Sequence, residues 1–367
     1  MQRIPTVDFK ALLDATEPDW QARLGELFGR MHFILGEQVR GFESEFASAL
    51  GAKCCVTVGT GTAAIELALR DAGVRYPNQE VIAPALTAPF TGVAICSTGA
   101  SIRLADVDPD TLLLDPEDVA SRATGNTAAI VPVHLYGQPC DLNALDRVAR
   151  RSGAAMVQDA CQAHGARYRG KPLTEFSRYV AYSFYPTKNL GALGDGGGIL
   201  TNSPQAAKRL CEMRDGGRRN DQIAHVGGIN SRLDEMQACY LRAFLPHLEE
   251  WNARRATLAA LYSEALSEVE EIRPVRTSHS VWHLYVVRAS RRDKLREHLA
   301  AHGIGTGVHY PVPLHLMPAF AAAGLKRGDL PHAERASKEI VSLPLYPYLR
   351  ESAVLEVAEE IRRFYRG

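Results

Sequence analysis

Between residues 50 and 201 the chain repeats one pattern: a short β-branched run, a turn, a helical stretch, then another β-branched run. The runs fall at 53–58, 80–83, 102–106, 128–133, 154–158, 179–184 and 197–201. Segments with helical spacing lie between several of them, among them 62–72, 115–122 and 142–151. Strands alternating with helices specify a largely parallel sheet covered on both faces, because parallel neighbours need a crossover between them. A sheet of this kind holds ligands at the carboxyl ends of its strands. Polar residues at those ends are therefore the ones to examine for chemistry.

The pattern changes after residue 230. A long amphipathic stretch at 231–251 precedes a helix at 254–267, the strand-like HLYVV at 283–287, a helix at 293–302, and the proline-rich HYPVPLHLMPAF. A chain of 367 residues exceeds what one hydrophobic core usually serves. We expect a large α/β domain at 1–245, with a seven-stranded mostly parallel sheet, and a smaller α+β domain at 246–367.

Charge excludes some partners. Lysine plus arginine (42) equals aspartate plus glutamate (42), so no global field attracts nucleic acid or an anionic membrane. No apolar run approaches the roughly 20 residues of a membrane span. The opening MQRIPTVDFKALLDATEPDW has no basic start followed by an apolar core, so no signal peptide is expected. Seven cysteines, with no C-x-x-C pair, point to buried thiols in a reducing compartment rather than disulfides or a zinc site. A cytoplasmic enzyme without a metal is the expectation.

Three segments carry candidate chemistry. In VTVGTGTAAIELAL (56–69) a strand ends, Gly61 and Thr62 follow, and a helix begins. Free N–H groups at a helix start make a phosphate site. The same letters match the dinucleotide fingerprint G-x-G-x-x-A, or a glycine turn used only for packing. The dinucleotide reading needs an acid closing the next strand, where Ala85 and Leu86 stand instead. In AMVQDACQAHGA (155–166) Asp159 follows an apolar strand; it either pairs with a cation or caps a turn, and Gln162 and His164 are its polar neighbours. In YSFYPTKNLGALGDGGGIL (182–200) Lys188 sits in a loop with five glycines in eight positions, which demands close backbone approach.

Each segment alone permits a structural reading, and together they fit one chemistry. A pyridoxal-phosphate (PLP) enzyme needs an amine for a Schiff base, an acid to hold a proton on the pyridine nitrogen, and a phosphate cradle. Lys188, Asp159 and the Gly61–Thr62 helix start would supply the three.

FILGEQVRGFESEFA, GTGTAAIELAL, VPVHLYGQPCDL, QDACQAHGA, SFYPTKNLGALGDGG, NSRLDEMQA, HLYVV, GIGTGVHYPVPLH and SLPLYPYL also look familiar as a set. Through them the chain resembles the DegT/DnrJ/EryC1/StrS family of PLP-dependent sugar aminotransferases, which share the aspartate-aminotransferase fold, PLP fold type I. The resemblance implies that Lys188 binds PLP and shuttles the proton, that Asp159 pairs with the pyridine nitrogen, and that Gln162 lies beside the ring hydroxyl. Ser183, Gly61 and Thr62 would bind the phosphate. Asn230 would reach the cofactor phosphate of a second subunit, making a homodimer with shared sites; a helix cap for 231–251 is its structural alternative. Many relatives place an aromatic residue where this chain has Ala88, so Phe90 is the candidate for stacking on the ring. His309, Tyr310, Arg218 and Arg219, the last two within the basic stretch 214–220, are candidates for the sugar or its diphosphate, whereas His283 reads as a core histidine.

Lysine at 188, where some dehydratases of the family carry histidine, favours transamination. The implied reaction runs from L-glutamate, through the pyridoxamine form (PMP), to a keto group on a dTDP- or UDP-linked deoxy sugar. A keto-cyclitol aminotransferase, a sugar dehydratase, a non-catalytic PLP-binding regulator and an NAD-dependent oxidoreductase are the alternatives. Which carbon is aminated, and in which pathway, is not written in these motifs.

Overall fold

The computed structural model describes residues 3–15, 19–219 and 223–367. Asn220, at the end of the basic stretch, lies outside the described residues. All seven expected strands of the large sheet form: β1 (Cys54–Val58), β2 (Glu80–Pro84), β3 (Ser101–Ala105), β4 (Thr127–Ile130), β5 (Ala155–Asp159), β8 (Tyr179–Ser183) and β9 (Gly197–Thr201). A two-residue hairpin, β6 (Arg167–Tyr168) with β7 (Lys171–Pro172), intervenes before β8. The sheet order is β1-β9-β8-β5-β4-β2-β3. Only β9 runs antiparallel to its neighbours. Six carboxyl ends and the amino end of β9 therefore meet along one edge.

The strands are buried on both faces, as their near-continuous apolar runs require. Strand β4 stops at Ile130, earlier than expected, because Pro132 has no N–H to extend the ladder. Helix Gly61–Asp71 packs its alanines, Ile65, Leu67 and Leu69 against the sheet. Its N-cap, Thr60, accepts a hydrogen bond from Ala63 N at 3.0 Å. Another helix start is held at a distance in sequence. The buried Glu235 carboxylate accepts from the backbone N–H groups of Gly36, Gln38 and Val39 at 2.8–2.9 Å, covering the orphan donors that open helix Glu37–Ala49.

The amphipathic stretch at 231–251 is not one helix. Helix Glu235–Phe244 ends in a 3-10 turn, Leu245–His247, and helix Leu248–Ala265 follows. Pro246 lacks the N–H that a continuous helix would use. Because the first helix has Asp234 at its N-cap, Asn230 is not a cap. Beyond it a small antiparallel sheet of β10 (Ile272–Pro274), β11 (Tyr285–Ala289) and β12 (Ile340–Leu343) forms in that order. It shares a second apolar core with helices Leu248–Ala265, Arg292–Ala301 and Glu351–Arg366, built from Leu258, Tyr262, Tyr285, Leu295, Leu299, Val357 and Ile361.

All seven cysteines are free. Cys55, Cys140 and Cys239 are buried, whereas Cys96 and Cys211 are exposed, contrary to the expectation of uniformly buried thiols. Among the described residues no helix is long and apolar enough to cross a membrane.

Candidate active site

A cleft of about 560 Å³ opens at the carboxyl edge of the sheet. Its walls bring together Gly61 and Thr62 after β1, Thr87 to Thr91 after β2, Asp159 and Gln162 after β5, and Ser183 and Lys188 after β8. His283, His309 and Tyr310 close it from the side of the small sheet.

Asp159 ends β5 and is buried, 4% exposed. One carboxylate oxygen accepts from Thr91 Oγ1 at 2.8 Å and the other from Cys161 N at 3.1 Å. Thr91 stands in helix Pro89–Ser97, and Thr87 Oγ1 backs it at 3.2 Å. The carboxylate is thus fixed in direction, with acceptor capacity left for a cation in the cleft.

Lys188 follows β8 in the glycine-rich loop. Its N–H donates to Tyr185 O at 2.8 Å, and Ala192 N to Phe184 O at 2.7 Å, which fold the loop back on the strand. Two of the glycines, Gly191 and Gly197, approach backbone, whereas Gly196 and Gly198 face the side chains of Leu233 and Phe184. A Cβ on Gly191 would lie 2.3 Å from Pro186 O, and one on Gly197 would lie 2.3 Å from Thr60 O. Burial holds the Lys188 ammonium below the ordinary lysine pKa, with the nearby Cys161 and Asp159 opposing the shift. An amine biased toward its neutral form is a nucleophile and a base.

Gly61 opens its helix against Ser183; a Cβ there would sit 2.7 Å from Ser183 Cβ and 2.9 Å from Cys161 Sγ. Among the described residues the Gly61 and Thr62 amides have no protein acceptor. Together with Ser183 Oγ they form a donor set suited to a phosphate. The residues present therefore fit PLP: a bare helix start for its phosphate, a desolvated amine for its aldehyde, and a buried, fixed carboxylate for its ring nitrogen.

Gln162 is held from both ends. Its Oε1 accepts from Tyr136 N at 2.7 Å, and its Nε2 donates to Tyr310 Oη at 3.1 Å. Tyr136, left-handed at φ 62°, donates its hydroxyl to the carbonyl of His309. His309 Nδ1 lies 2.8 Å from Ser342 Oγ, and burial pushes its pKa down to about 4. His283 is both core and lining residue: Nδ1 lies 3.1 Å from Asn189 Oδ1, and burial, reinforced by the Lys188 charge, pushes its pKa well down.

Not every expected residue joins the cleft. Phe90 stands at its rim, 63% exposed, next to Ala88. Arg218 pairs with Asp215 at 2.8 Å and Arg219 with Glu212 at 3.0 Å, and neither lines the cleft. Asn230 is exposed, bridges Asp215 through its backbone and does not line the cleft, although the next residue, Ser231, accepts from Gly59 N at 3.0 Å. His164 is buried against Phe46, Tyr182 and Phe184. Thr91, which fixes Asp159, was missed from sequence. Its signal was the four-residue spacing from Thr87 across a helix start at Pro89.

The dinucleotide reading of Gly59–Gly61–Ala64 has no support in the sheet. β1 is an edge strand paired only with antiparallel β9, and β2 carries Glu80 at its start and Pro84 at its end.

The profile of the DegT/DnrJ/EryC1/StrS aminotransferase family matches residues 15–362. A dTDP-3-amino-3,4,6-trideoxy-alpha-D-glucose transaminase of Streptomyces venezuelae is 42% identical over 99% of this chain and 96% of its own. A pleiotropic regulatory protein of Geobacillus stearothermophilus is also 42% identical, over 99% of both chains. The crystal structure of S. venezuelae DesV in complex with a ketimine intermediate superposes with a TM-score of 0.96, at 41% identity over the whole of both chains. The chain belongs to the DegT/DnrJ/EryC1/StrS aminotransferase family, whose cofactor is PLP.

Proposed function

We propose that this protein transfers an amino group from L-glutamate to the keto group of a deoxy sugar linked to dTDP or UDP. One observation carries the reading: a desolvated lysine amine and a buried, doubly hydrogen-bonded aspartate open onto one cleft beside a bare helix start. The family match and the transaminase relative favour a sugar nucleotide as the acceptor.

When bound, PLP supplies an electron-poor ring that takes up the electron pair left when a Cα proton departs. The chain does the rest. Asp159, aimed by Thr91 and Cys161 N, would hold a proton on the ring nitrogen. The Gly61 and Thr62 amides and Ser183 Oγ would hold the phosphate. Lys188 Nζ would move the Cα proton of the donor to the cofactor side of the C–N bond and, in the second half-reaction, carry a proton from the cofactor side to the acceptor carbon, a task that its lowered pKa suits. Gln162, locked between Tyr136 and Tyr310, would keep the ring from rotating. Neutral His309 and His283 would present hydrogen-bonding edges to the sugar without adding charge.

The same reading makes the protein a cytoplasmic homodimer. Asn230 is exposed and does not line its own cleft, which suits a role in the site of a second subunit. Phe90 at the rim is the aromatic available for stacking on the ring in place of Ala88.

The test is visible absorbance of the PLP-loaded protein. L-glutamate added without acceptor should bleach the yellow band, a dTDP- or UDP-linked keto sugar should restore it, and Lys188→Ala should do neither. A protein that binds PLP yet is bleached by neither L-glutamate nor L-glutamine is not a transaminase, and the regulator reading would take its place.

A further inference from the structure

Outside the cleft lining, helices Arg292–Ala301 and Glu351–Arg366 hold a cluster that transamination does not use. His298 and His302 are four residues apart on helix Arg292–Ala301 and its C-cap, so their rings project from one face. Glu360, on helix Glu351–Arg366, meets them. Its Oε2 lies 3.5 Å from His298 Nε2 and 3.7 Å from His302 Nε2. All three ligand atoms lie within 4.8 Å of one another.

An ordinary histidine–glutamate ion pair explains this poorly. Both separations exceed a hydrogen bond. Glu360 is 5% exposed, and its Oε2 and His298 Nε2 are buried with no hydrogen-bond partner. Leaving two such atoms unpaired is costly unless something sits between them. The proton on His302 is also placed for ligation. Its Nδ1 lies 2.8 Å from the His298 carbonyl, which only accepts, so Nδ1 carries a hydrogen and Nε2 is the ring nitrogen turned toward Glu360. The other Glu360 oxygen, Oε1, accepts from Arg363 at 2.7 Å, which orients the carboxylate as an outer partner orients a metal ligand.

We propose that His298, His302 and Glu360 form a site for one divalent transition-metal ion of the zinc class. A tetrahedral ion with bonds of about 2.0–2.1 Å spaces its ligands ~3.4 Å apart, close to the two separations here. Two imidazoles and one carboxylate suit zinc better than magnesium or calcium, which prefer all-oxygen shells. His302 and Glu360 help to line a cavity of about 630 Å³, with Ile4, Ser352 and Glu356. That cavity gives the ion an entry and leaves room for a water ligand. The site would also pin three pieces of chain: the two helices, and the N-terminal segment whose Ile4 bonds to Gly303 and Gly305 just after His302.

The experiment uses the full chain loaded with PLP and stripped of metal by a chelator. Zinc is titrated against a chromophoric chelator, and cobalt is added separately as a spectroscopic probe. We expect one zinc per chain, a four-coordinate cobalt spectrum, and a higher thermal midpoint with zinc. Glu360→Gln and His302→Gln, each close in size to the residue replaced, should weaken zinc binding by at least the ~10–100-fold that loss of an outer partner alone costs, and should abolish the thermal shift. Circular dichroism and the visible cofactor band verify that both variants are folded. No retained zinc in the parent protein overturns the proposal. So does undiminished binding in both variants, which would put the ion elsewhere, for example on the exposed Cys96 or Cys211.

Discussion

Replacing Gly61 by alanine tests the phosphate cradle at its tightest point. The added Cβ would stand 2.7 Å from Ser183 Cβ, 2.9 Å from Cys161 Sγ and 3.2 Å from Ser183 Cα. Carbon atoms rest at about 3.5–4.0 Å, so the helix start must retreat from β8 by roughly 1 Å. The Cys161 side chain can turn away, but Ser183 is the last residue of a strand paired on both sides and cannot follow. Overpacking of this kind costs about 1–3 kcal/mol in the apo protein. A second loss comes on binding, because a ~1 Å retreat takes the Gly61 and Thr62 amides out of hydrogen-bond range of a phosphate held by Ser183. One charge-assisted hydrogen bond is worth about 1.5–3 kcal/mol, so PLP affinity should fall by at least ~10-fold. PLP titrations of the apo proteins, followed by absorbance, measure the binding loss, and urea unfolding measures the stability loss. Adding Ser183→Gly removes the nearest clashing atom, and in that background Gly61→Ala should cost much less than it does alone. If Gly61→Ala binds PLP as the parent does, or loses affinity equally in both backgrounds, the helix start is not the phosphate cradle.

Three further outcomes follow from the geometry. Lys188 has a folded pKa below its ordinary 10.5, so the unfolded chain holds the proton more tightly and apo stability rises with pH between the folded value and 10.5. Apo Lys188→Met should therefore be more stable than the parent at pH 7, with an advantage that shrinks toward pH 10; urea unfolding across that range checks it, and a less stable variant at pH 7 would refute it. Phe90→Ala should weaken PLP binding by about 2–10-fold, the range of an aromatic stacking contact, with little change in unfolding midpoint because Phe90 is 63% exposed. Glu235→Ala strands the buried amides of Gly36, Gln38 and Val39, and at ~1–3 kcal/mol per unsatisfied donor it should cost 3 kcal/mol or more, read as a lowered urea midpoint at unchanged slope.

The large sheet was legible because a buried parallel strand must be apolar on both faces, and such runs stand out against the amphipathic helices between them. Where reading failed, one backbone group decided. Pro132 ended β4 early and Pro246 divided the long amphipathic stretch, each by lacking an N–H. HLYVV was seen as a strand at 283–287, yet pairing begins at Tyr285, because Leu284 and the residues before it bond to Tyr136 and Gly137 instead. That competition is tertiary and leaves no trace in local spacing.

The site divides along a similar line. Lys188, Asp159 and Gly61 could be read because each sits where the chain breaks a local rule: a charge closing an apolar strand, or glycines clustered beyond the needs of one turn. Those exceptions are costly unless a function or a close contact compensates, and here all three residues line one cleft. Thr91, Tyr136 and Asn189 break no rule, since a threonine, tyrosine or asparagine on a helix or in a loop is ordinary. They matter only because folding brings their polar atoms to Asp159, Gln162 and His283. The glycine-rich loop shows both sides of the argument at once. Its composition announced a close approach, but the partner proved to be Pro186 and Thr60 backbone, which holds Lys188 over the cleft and the Thr60–Gly61 turn beneath it. The close approach that the sequence announced is thus made within the chain, and the two segments it fixes carry Lys188 and the Gly61–Thr62 pair on the walls of one cleft.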